Sequence, residues 1–271
     1  LEGMDLKLLA SSQKIIAVTY QGDDARQGDY CRKNYPIHHV HEVEEGYYSD
    51  FSDRLKRDRI ARFERYAHLI YALNPDLLNV LPKRCRFLPY ASVDLEEWQC
   101  VGVNEAVDEP HLIHAPSDRA IKGTKYVESA VERLRSEGVR FRFTLVEGMS
   151  NDEAKKIYQE ADLLVDQLLA GWYGGLAVEL MALGKPVICY LRQEDLVHVP
   201  GEMCEDMPVV DATPDSIYEV LKEWLTHRKK DLRQRGLESR KYVEKWHDPL
   251  KIAAGLKQDY ENALADMHSE A

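Results

Sequence analysis

The chain has 271 residues, of which 36 are lysine or arginine and 47 are aspartate or glutamate, so its formal net charge is −11. This acidic balance argues against a general nucleic-acid-binding protein, because phosphate contacts require clustered lysine and arginine side chains. Hydrophobic residues make up 44% of the chain, which excludes a disordered protein, and no apolar run approaches the ~20 residues of a membrane-spanning helix.

The N-terminal residues and the cysteines predict a cytoplasmic protein. Residues 1–9 contain neither the basic nor the apolar segment of a secretory signal peptide. The cysteines are odd in number, scattered and without a CxxC pair, which is typical of free thiols in a reducing compartment and argues against structural zinc. They are Cys31, Cys85, Cys100, Cys189 and Cys204.

The first hundred residues predict only part of an α/β domain. In chain order they predict a strand at 14–19, a loop with a short helix at 29–50, a charged helix at 51–69, a strand at 70–73, a helical turn opened by Asn74 and Pro75, and a strand at 86–90. Three strands are few for a complete domain, so we expect an N-terminal domain at 1–100 that either lacks a portion or is much reduced. Residues 99–110 show no periodic pattern, which predicts a linker.

Beyond the linker, short apolar segments alternate with amphipathic ones. The predicted elements are strands at 112–114, 141–146, 163–165, 186–190 and 209–210, and helices at 122–135, 150–159, 175–183, 213–224, 228–246 and 249–264. This alternation indicates an α/β protein with a parallel sheet that is covered by helices on both faces. Ligands in such proteins bind at the carboxyl ends of the strands.

A glycine-rich turn from Gly171 to Gly175 precedes the helix predicted at 175–183. Glycines leave the backbone N–H groups bare at the start of a helix, where unsatisfied donors and the helix dipole bind phosphate. Glu179 lies too far into the helix to cap it, and its carboxylate can accept hydrogen bonds from a diol such as ribose. The spacing alone fits equally well an ordinary strand–turn–helix unit with a solvent-facing glutamate.

The segment VELMALGKPVI, residues 178–188, resembles the E-A-M-A-x-G-x-P-V-I signature of retaining GT-B glycosyltransferases, family 4 in particular. The resemblance implies that Glu179, as the second glutamate of the family's E-x7-E motif, holds the ribose of a sugar nucleotide. The first glutamate, which lies near the donor sugar in the family, falls on Gly171 here. That departure either leaves the sugar to another residue or removes catalysis. Substrate contacts are also expected at the start of the helix, from Tyr173, Gly174, Gly175 and Leu176.

A second segment, His114 to Thr124, resembles the family's loop in which an arginine and a Lys-Gly pair grip the diphosphate. Lys122 matches the lysine, and Arg119 is assigned as the arginine although it lies closer to the lysine than the family's arginine does. The resemblance implies that both cations are catalytic, because they neutralise the departing nucleoside diphosphate. Without the resemblance, this segment fits a solvated basic turn at the start of a helix.

Weaker signals lie in loops that follow predicted strands. Glu147 falls where the family has its base-binding loop, and Asp166 either faces the donor or ends its strand. Gly22 and Asp23 belong to a segment that resembles the family's His-Gly-Ser-Asp loop, which faces the donor sugar across the cleft. Gln21 stands where that loop usually has histidine. The resemblance implies that Glu147, Gly22 and Asp23 lie close to the substrate.

Two groups of residues invite a metal interpretation that we reject. The resemblance implies that the diphosphate is bound without a required metal, so Asp23 and Asp24 are not taken as metal ligands. His38, His39 and His41 lie in a tyrosine-rich loop, where neighbouring histidines are more often polar surface residues than ligands.

The resemblance covers about residues 12–265 and implies a GT-B fold, with two Rossmann-like domains of parallel sheet and a cleft between them. Domain 1–100 would face the acceptor, domain 101–248 would bind the nucleotide sugar, and segment 249–271 would return to the N-terminal domain. We expect a metal-independent glycosyltransferase without a cofactor, which moves a sugar from a nucleotide-diphosphate sugar to a glycan, lipid, protein or small-molecule acceptor with retention. Its expected partners exclude nucleic acid and include a peripheral membrane contact. The alternatives are a non-catalytic nucleotide-sugar-binding or scaffold protein and a GT-B nucleotide-sugar epimerase.

Overall fold

The computed structural model describes residue 3 and residues 5–104 and 108–269. Its strands form two parallel sheets. The first sheet contains β1 (Ala17–Tyr20), β2 (Leu69–Ala72) and β3 (Arg86–Phe87) in that order. We call the part of the chain around this sheet, residues 5–98, the first lobe, and residues 108–248 the second lobe.

The second lobe is built on a sheet in which the second strand is added on one side of the first strand and the later strands on the other side. Its strands are β4 (His111–His114), β5 (Arg142–Leu145), β6 (Leu163–Val165), β7 (Val187–Cys189) and β8 (Val210–Asp211), in the spatial order β5-β4-β6-β7-β8. All neighbouring strands are parallel. Because β4 lies between β5 and β6, the connections leave it on opposite sides, and a crevice opens at the carboxyl ends of β4 and β6.

Helices cover the second sheet on both faces, as the alternating sequence pattern predicts. They are α4 (Arg119–Lys122), α5 (Thr124–Ser136), α6 (Asn151–Glu160), α7 (Gly175–Ala182), α8 (Gly201–Glu205), α9 (Ile217–Thr226) and α10 (Leu232–Trp246), numbered after the three helices of the first lobe. Leu112 of β4 packs with apolar residues of α5 and α9. Its neighbour Ile113 points to the other face and packs with residues of α6, α7 and α10.

The first lobe packs its helices around a smaller core. They are α1 (Leu6–Ser11), α2 (Gly28–Asn34) and α3 (Asp50–Tyr66), with short 3-10 helices at His39–His41 and Pro75–Asn79. α3 begins with a reciprocal cap in which Ser49 and Ser52 exchange hydrogen bonds. Ile60 of α3, Ile70 of β2 and Leu77 are buried together.

Several predicted boundaries are wrong for identifiable reasons. The helix predicted at 122–135 is interrupted at Gly123, whose backbone φ of +76° ends α4 and starts α5. The helix predicted at 228–246 begins at Leu232, after a 3-10 turn at Lys229–Asp231. The last helix, α11 (Pro249–Ser269), runs further than predicted. The helix α1, the 3-10 helix Gln193–His198 and the helix α8 were not predicted.

Close contacts join the elements behind the crevice. Gly184 has a φ of +76° and ends α7 as predicted. A Cβ added at Gly236 of α10 would lie 2.0 Å from the Gly184 carbonyl oxygen, so α10 supports the end of α7 at backbone distance. α11 contacts the first lobe, where Asp259 accepts hydrogen bonds from Tyr71 at 2.7 Å and Arg86 at 2.9 Å.

Among the described residues, no helix combines the length and the apolar character required to span a membrane.

Candidate functional site

Lys122, Asp166 and Gly174 meet at the crevice between β4 and β6. The Lys122 Nζ atom lies 3.1 Å from Asp166 Oδ1 and donates to Gln167 Oε1 at 2.7 Å. The other carboxylate oxygen of Asp166 accepts the Gly174 N–H at 2.7 Å. One buried carboxylate thereby joins the end of α4, the end of β6 and the start of α7.

The loops around this junction are fixed by local contacts. The His114 side chain bridges the Val165 carbonyl oxygen, at 2.8 Å, and the Thr124 hydroxyl, at 2.9 Å. Gly123 must be glycine because of its positive φ, and an added Cβ would lie 3.3 Å from the Leu168 side chain. The end of α4 is therefore held against the loop that follows β6.

The start of α7 offers unpaired backbone donors beside Lys122. Gly174 donates to Asp166, whereas the amides of Gly175 and Leu176 have no hydrogen-bond acceptor among the described residues. A Cβ at Gly174 would lie 3.3 Å from Lys122 Nζ and 3.5 Å from Asp166 Oδ2, so a side chain there would crowd the junction. Bare amides next to a lysine form a site for an anion.

Arg119 lies on α4 one turn before Lys122, in a different environment. Its guanidinium donates to Glu147 at 2.8 Å and to Glu128 at 2.5 Å. The Arg119 side chain is 49% exposed, and both carboxylates also reach the surface. The structure therefore brings two of the predicted site residues, Arg119 and Glu147, into direct contact.

Glu179 lies half-buried on α7, and its carboxylate has no hydrogen-bonding partner among the described residues. Burial raises the pKa of its carboxyl group, and the charge of Lys155 opposes this effect. Tyr158 of α6 interacts with this charge, since burial and the Glu179 carboxylate both raise the pKa of the Tyr158 hydroxyl. A carboxylate that is partly desolvated and unpaired is available to accept hydrogen bonds from a ligand.

Tyr173 is placed in the core, which is not the environment expected of a substrate-binding side chain. Its hydroxyl lies 2.9 Å from the Tyr242 hydroxyl and 2.9 Å from His247 Nε2. The ring is fully buried. Any substrate contact by this residue must therefore come from its backbone.

Arg192 fills the space next to Gly171, and no prediction from the sequence pointed to this arginine directly. Gly171 has a φ of +81°, and an added Cβ would lie 2.6 Å from the Arg192 Nη1 atom. The Arg192 guanidinium pairs with Asp195 at 2.9 Å, donates to the Ile37 carbonyl of the first lobe at 3.0 Å and lies 3.7 Å from the centroid of the Tyr35 ring. The only signal was the departure of Gly171 from the family motif.

Gly22 and Asp23 lie in the first lobe, in a loop that follows β1. Asp23 accepts hydrogen bonds from the hydroxyls of Tyr47 and Tyr48 at 2.6 Å each, and pairs with Arg26 at 2.9 Å. Burial alone would raise the pKa of Asp23, but its hydrogen bonds and the charge of Arg26 hold it well below its ordinary value. Burial, the hydrogen bond to Asp23 and the charges of Asp23 and of Asp118, the capping residue of α4, raise the pKa of Tyr47.

The prediction that the histidines of the 29–50 segment are surface residues is wrong for two of them. His38 and His39 are 1% and 0% exposed, because the segment folds back on α2 and against the second lobe. The third, His41, bonds the Tyr35 carbonyl oxygen. Within the described ranges, no group of three or more histidine, cysteine, aspartate or glutamate side chains is arranged to hold a metal ion.

Solved structures share this arrangement of two parallel-sheet lobes. The chain aligns with sucrose-phosphate synthase from Thermosynechococcus elongatus at a TM-score of 0.58 and 16% identity, over 92% of this chain and 68% of the synthase. It aligns with Anabaena HepE in complex with UDP-glucose at a TM-score of 0.52 and 10% identity, over 97% of this chain and 77% of HepE. With WaaG, a glycosyltransferase involved in lipopolysaccharide biosynthesis, the TM-score is 0.51 and the identity 14%, over 87% of this chain and 73% of WaaG.

Comparison at the sequence level adds nothing to this likeness, since no protein-family model and no curated protein matches the chain. Identities of 10–16% establish the fold alone. The structural neighbours are GT-B glycosyltransferases, and the chain has the GT-B fold that was predicted from its sequence.

Proposed function

We propose that the chain is a retaining glycosyltransferase of the family 4 type, which transfers a sugar from a nucleotide-diphosphate sugar to an acceptor hydroxyl. The observation that carries this proposal is the junction of Lys122, Asp166 and Gly174, with free amides at Gly175 and Leu176. A cation and bare helix-terminal amides at a strand-order reversal match the charge of a diphosphate.

The geometry suggests how the bond to the sugar is broken. The bond between the anomeric carbon and the diphosphate oxygen cleaves, and negative charge grows on the departing diphosphate. Lys122 and the two amides stabilise that charge, so the interaction is stronger in the transition state than in the bound donor. The acceptor oxygen attacks the anomeric carbon on the face that the diphosphate leaves, its proton passes to the diphosphate, and no covalent bond to the protein forms.

Glu179 completes the donor site as the acceptor of ribose hydroxyl hydrogen bonds. It lies one turn behind the Gly175 and Leu176 amides on the same helix, which matches the order of diphosphate and ribose in a nucleotide sugar. Glu147, in the loop that follows β5, is the candidate for contact with the base. No metal is needed in this scheme, because Lys122, Arg119 and the helix terminus supply the positive charge.

A melting-temperature screen with UDP, GDP, ADP and their sugars tests the proposal first, because a ligand that binds only the native state raises stability. UDP-glucose is the first donor to try, since the HepE structure contains it. Release of nucleoside diphosphate from the stabilising donor then tests for transfer or hydrolysis, with and without EDTA. Loss of turnover on EDTA treatment would contradict metal independence.

The second candidate, a non-catalytic nucleotide-sugar-binding protein, is favoured by one observation. Gly171 carries no carboxylate where the family places a glutamate, and Arg192 fills the adjoining space. Donor binding without any turnover, across a panel of sugars and acceptors, would support this candidate over the enzyme.

A further inference from the structure

The segment of residues 35–48, here called the histidine segment, forms a wall of the first lobe that faces the second lobe. The Ile37 carbonyl accepts from Arg192 Nη2 at 3.0 Å. The Glu42 carboxylate accepts from the Tyr126 hydroxyl at 2.6 Å. Tyr47 of this segment is 44% exposed, and the Asp23 side chain that it contacts is 31% exposed. The wall therefore extends from the surface inwards to the buried His38 and His39.

His38 presents a buried proton donor. Burial and the nearby charges of Arg26 and Arg192 lower the pKa of His38 far below its ordinary value, so the ring is neutral. Its Nδ1 atom accepts the Val40 N–H at 2.9 Å. A neutral imidazole carries one proton, which must then be on Nε2. That N–H is buried and has no partner among the described residues.

His39 presents a buried proton acceptor. The Tyr48 hydroxyl donates to Asp23 at 2.6 Å, because an ionised carboxylate can only accept. The Tyr48 oxygen must then accept the bond of 2.9 Å from His39 Nε2, which fixes the proton on that nitrogen. Burial lowers the pKa of His39 and keeps the ring neutral. Its Nδ1 atom carries a lone pair and has no partner in the described part of the chain.

The two rings and Arg192 form one buried polar cluster. The His38 and His39 ring centroids are 4.0 Å apart, and the His38 ring lies 5.7 Å from the Tyr35 ring that Arg192 covers. Arg192 Nε is a third buried polar atom, and a second donor, without a partner among the described residues. Unpaired buried donors and acceptors cost free energy and are few in native proteins, so three in one cluster require a ligand group or water.

The combination of donor and acceptor selects the chemistry of that group. A carboxylate or phosphate oxygen only accepts hydrogen bonds, so it cannot bond to the His39 Nδ1 lone pair, which also only accepts. A metal cation can only be coordinated by a lone pair, so it would leave the His38 Nε2–H without an acceptor. A hydroxyl both accepts and donates, so it matches a donor such as His38 Nε2–H and an acceptor such as His39 Nδ1.

We propose that His38 and His39 bind one hydroxyl group of the sugar carried by the donor nucleotide, an inference that rests on the proposed function. Arg192 supplies the connection, because it reaches from Gly171, three residues before Gly174, to the histidine segment. The sugar extends from the diphosphate at Gly174 towards this wall. An ordered water offers the same chemistry and is the alternative source of the hydroxyl.

Matched ligands and matched variants separate the sugar from water. Affinities for UDP-glucose and UDP are measured by calorimetry on the full chain, and GDP-mannose with GDP and ADP-glucose with ADP serve if the uridine pair does not bind. His39→Phe is expected to weaken UDP-glucose about tenfold and to leave UDP unchanged. The control is His111→Phe at the far end of β4, because His111 is also buried but both of its ring nitrogens have partners.

Single-deoxy analogues of the glucose identify the contacted hydroxyl. One analogue is expected to bind the unmodified protein about tenfold more weakly than UDP-glucose, and to bind His39→Phe as well as UDP-glucose does. If no deoxy position shows this coupling, or if His39→Phe weakens UDP and UDP-glucose equally, the group is water or the histidines are structural and the inference is overturned. Failure of every nucleoside diphosphate to bind the unmodified chain would instead refute the proposed function itself.

As a second measurement, nitrogen NMR of the histidine rings tests the tautomers without relying on a variant that folds. Both rings are expected to carry their proton on Nε2, and the His39 Nδ1 signal is expected to move with UDP-glucose but not with UDP. A proton on His39 Nδ1 in the free protein would overturn the assignment of donor and acceptor.

Discussion

Lys122 and Arg119 lie one turn apart on α4 and were predicted to have the same role, but their surroundings differ. Lys122 is 13% exposed and pairs with Asp166, whose side chain has no exposure. Arg119 is 49% exposed and bridges two surface carboxylates. The buried cation is fixed before any ligand arrives, whereas the exposed one must leave Glu128 and Glu147 to reach a diphosphate.

From this comparison we infer that burial, rather than charge alone, decides which cation would contribute most to the proposed reaction. Interactions in a site with little water are much stronger than those at the surface, and a fixed group needs no reorganisation during the reaction. Surface ion pairs are weakened by solvent and salt. We therefore expect the effects of substitution to fall in order from the Lys122 junction to Arg119.

Lys122→Met should have the largest effect. Loss of the buried charge is expected to reduce kcat about 10²- to 10³-fold, with a smaller change in KM, since the charge on the diphosphate grows in the transition state. Steady-state kinetics measure both constants. Lys185→Met is the control, because Lys185 is a buried lysine that bonds the Gly102 and Gln159 carbonyl oxygens away from the crevice. A rise in KM alone would make Lys122 a binding residue only.

Asp166→Asn tests whether the buried carboxylate acts through Lys122. Asparagine can accept only one of the two hydrogen bonds, so Lys122 or the start of α7 should shift, and kcat is expected to fall about 10²-fold. Asp162→Asn is the control at the other end of β6, where Asp162 accepts the His111 N–H at 2.8 Å.

The combined Lys122→Met and Asp166→Asn variant decides between positioning and direct contact. If Asp166 acts through Lys122, the two effects on kcat should not add. Additive effects would show that Asp166 contacts the donor itself.

Glu179→Gln should weaken nucleotide binding by about 1–3 kcal/mol, the effect of leaving ribose hydroxyls poorly paired. The same substitution should increase the stability of the folded protein. Burial raises the pKa of Glu179 in the folded state, so ionisation opposes folding once the pH rises above the unfolded pKa of about 4.3. Glu179→Gln should therefore melt higher than the unmodified chain near neutral pH, and the difference should disappear as the pH falls below 4.3. Equal melting temperatures at all pH values would contradict this.

Arg119→Gln should have the smallest effect, about threefold in KM. Because the side chain is exposed, the effect should diminish as salt is added, whereas that of Lys122→Met should persist. Kinetics at low and high ionic strength make the comparison. An effect of Arg119→Gln as large as that of Lys122→Met would reverse the order drawn from burial.

The sequence predicted best those features that depend on neighbouring residues. The cap of α6 by Ser150 and Glu153, the end of α7 at Gly184 and the alternation of strands with helices are local or periodic signals, and all are present. The resemblance to the family, rather than these local signals, implied that Lys122 and the start of α7 share one site, and the structure places them together through Asp166.

Features that depend on distant residues were missed. His38 and His39 are polar in sequence, and only their packing against Tyr35, Tyr48 and the second lobe makes them buried. Arg192 comes from an irregular segment, and its first-lobe partner Ile37 lies 155 residues away in the chain. Pairings of this kind leave no periodic pattern, so no sequence rule would have found them.

The contact between Gly171 and Arg192 also limits how this sequence can evolve. A single change of Gly171 to the family's glutamate would force a side chain into a left-handed backbone and to within 2.6 Å of the guanidinium. Loss of Arg192 first would leave Asp195 buried without its cation. Both first steps lower stability, so this sequence can acquire the motif glutamate only through a less stable intermediate. The two positions are therefore expected to change together in lineages derived from this chain, or to stay as they are.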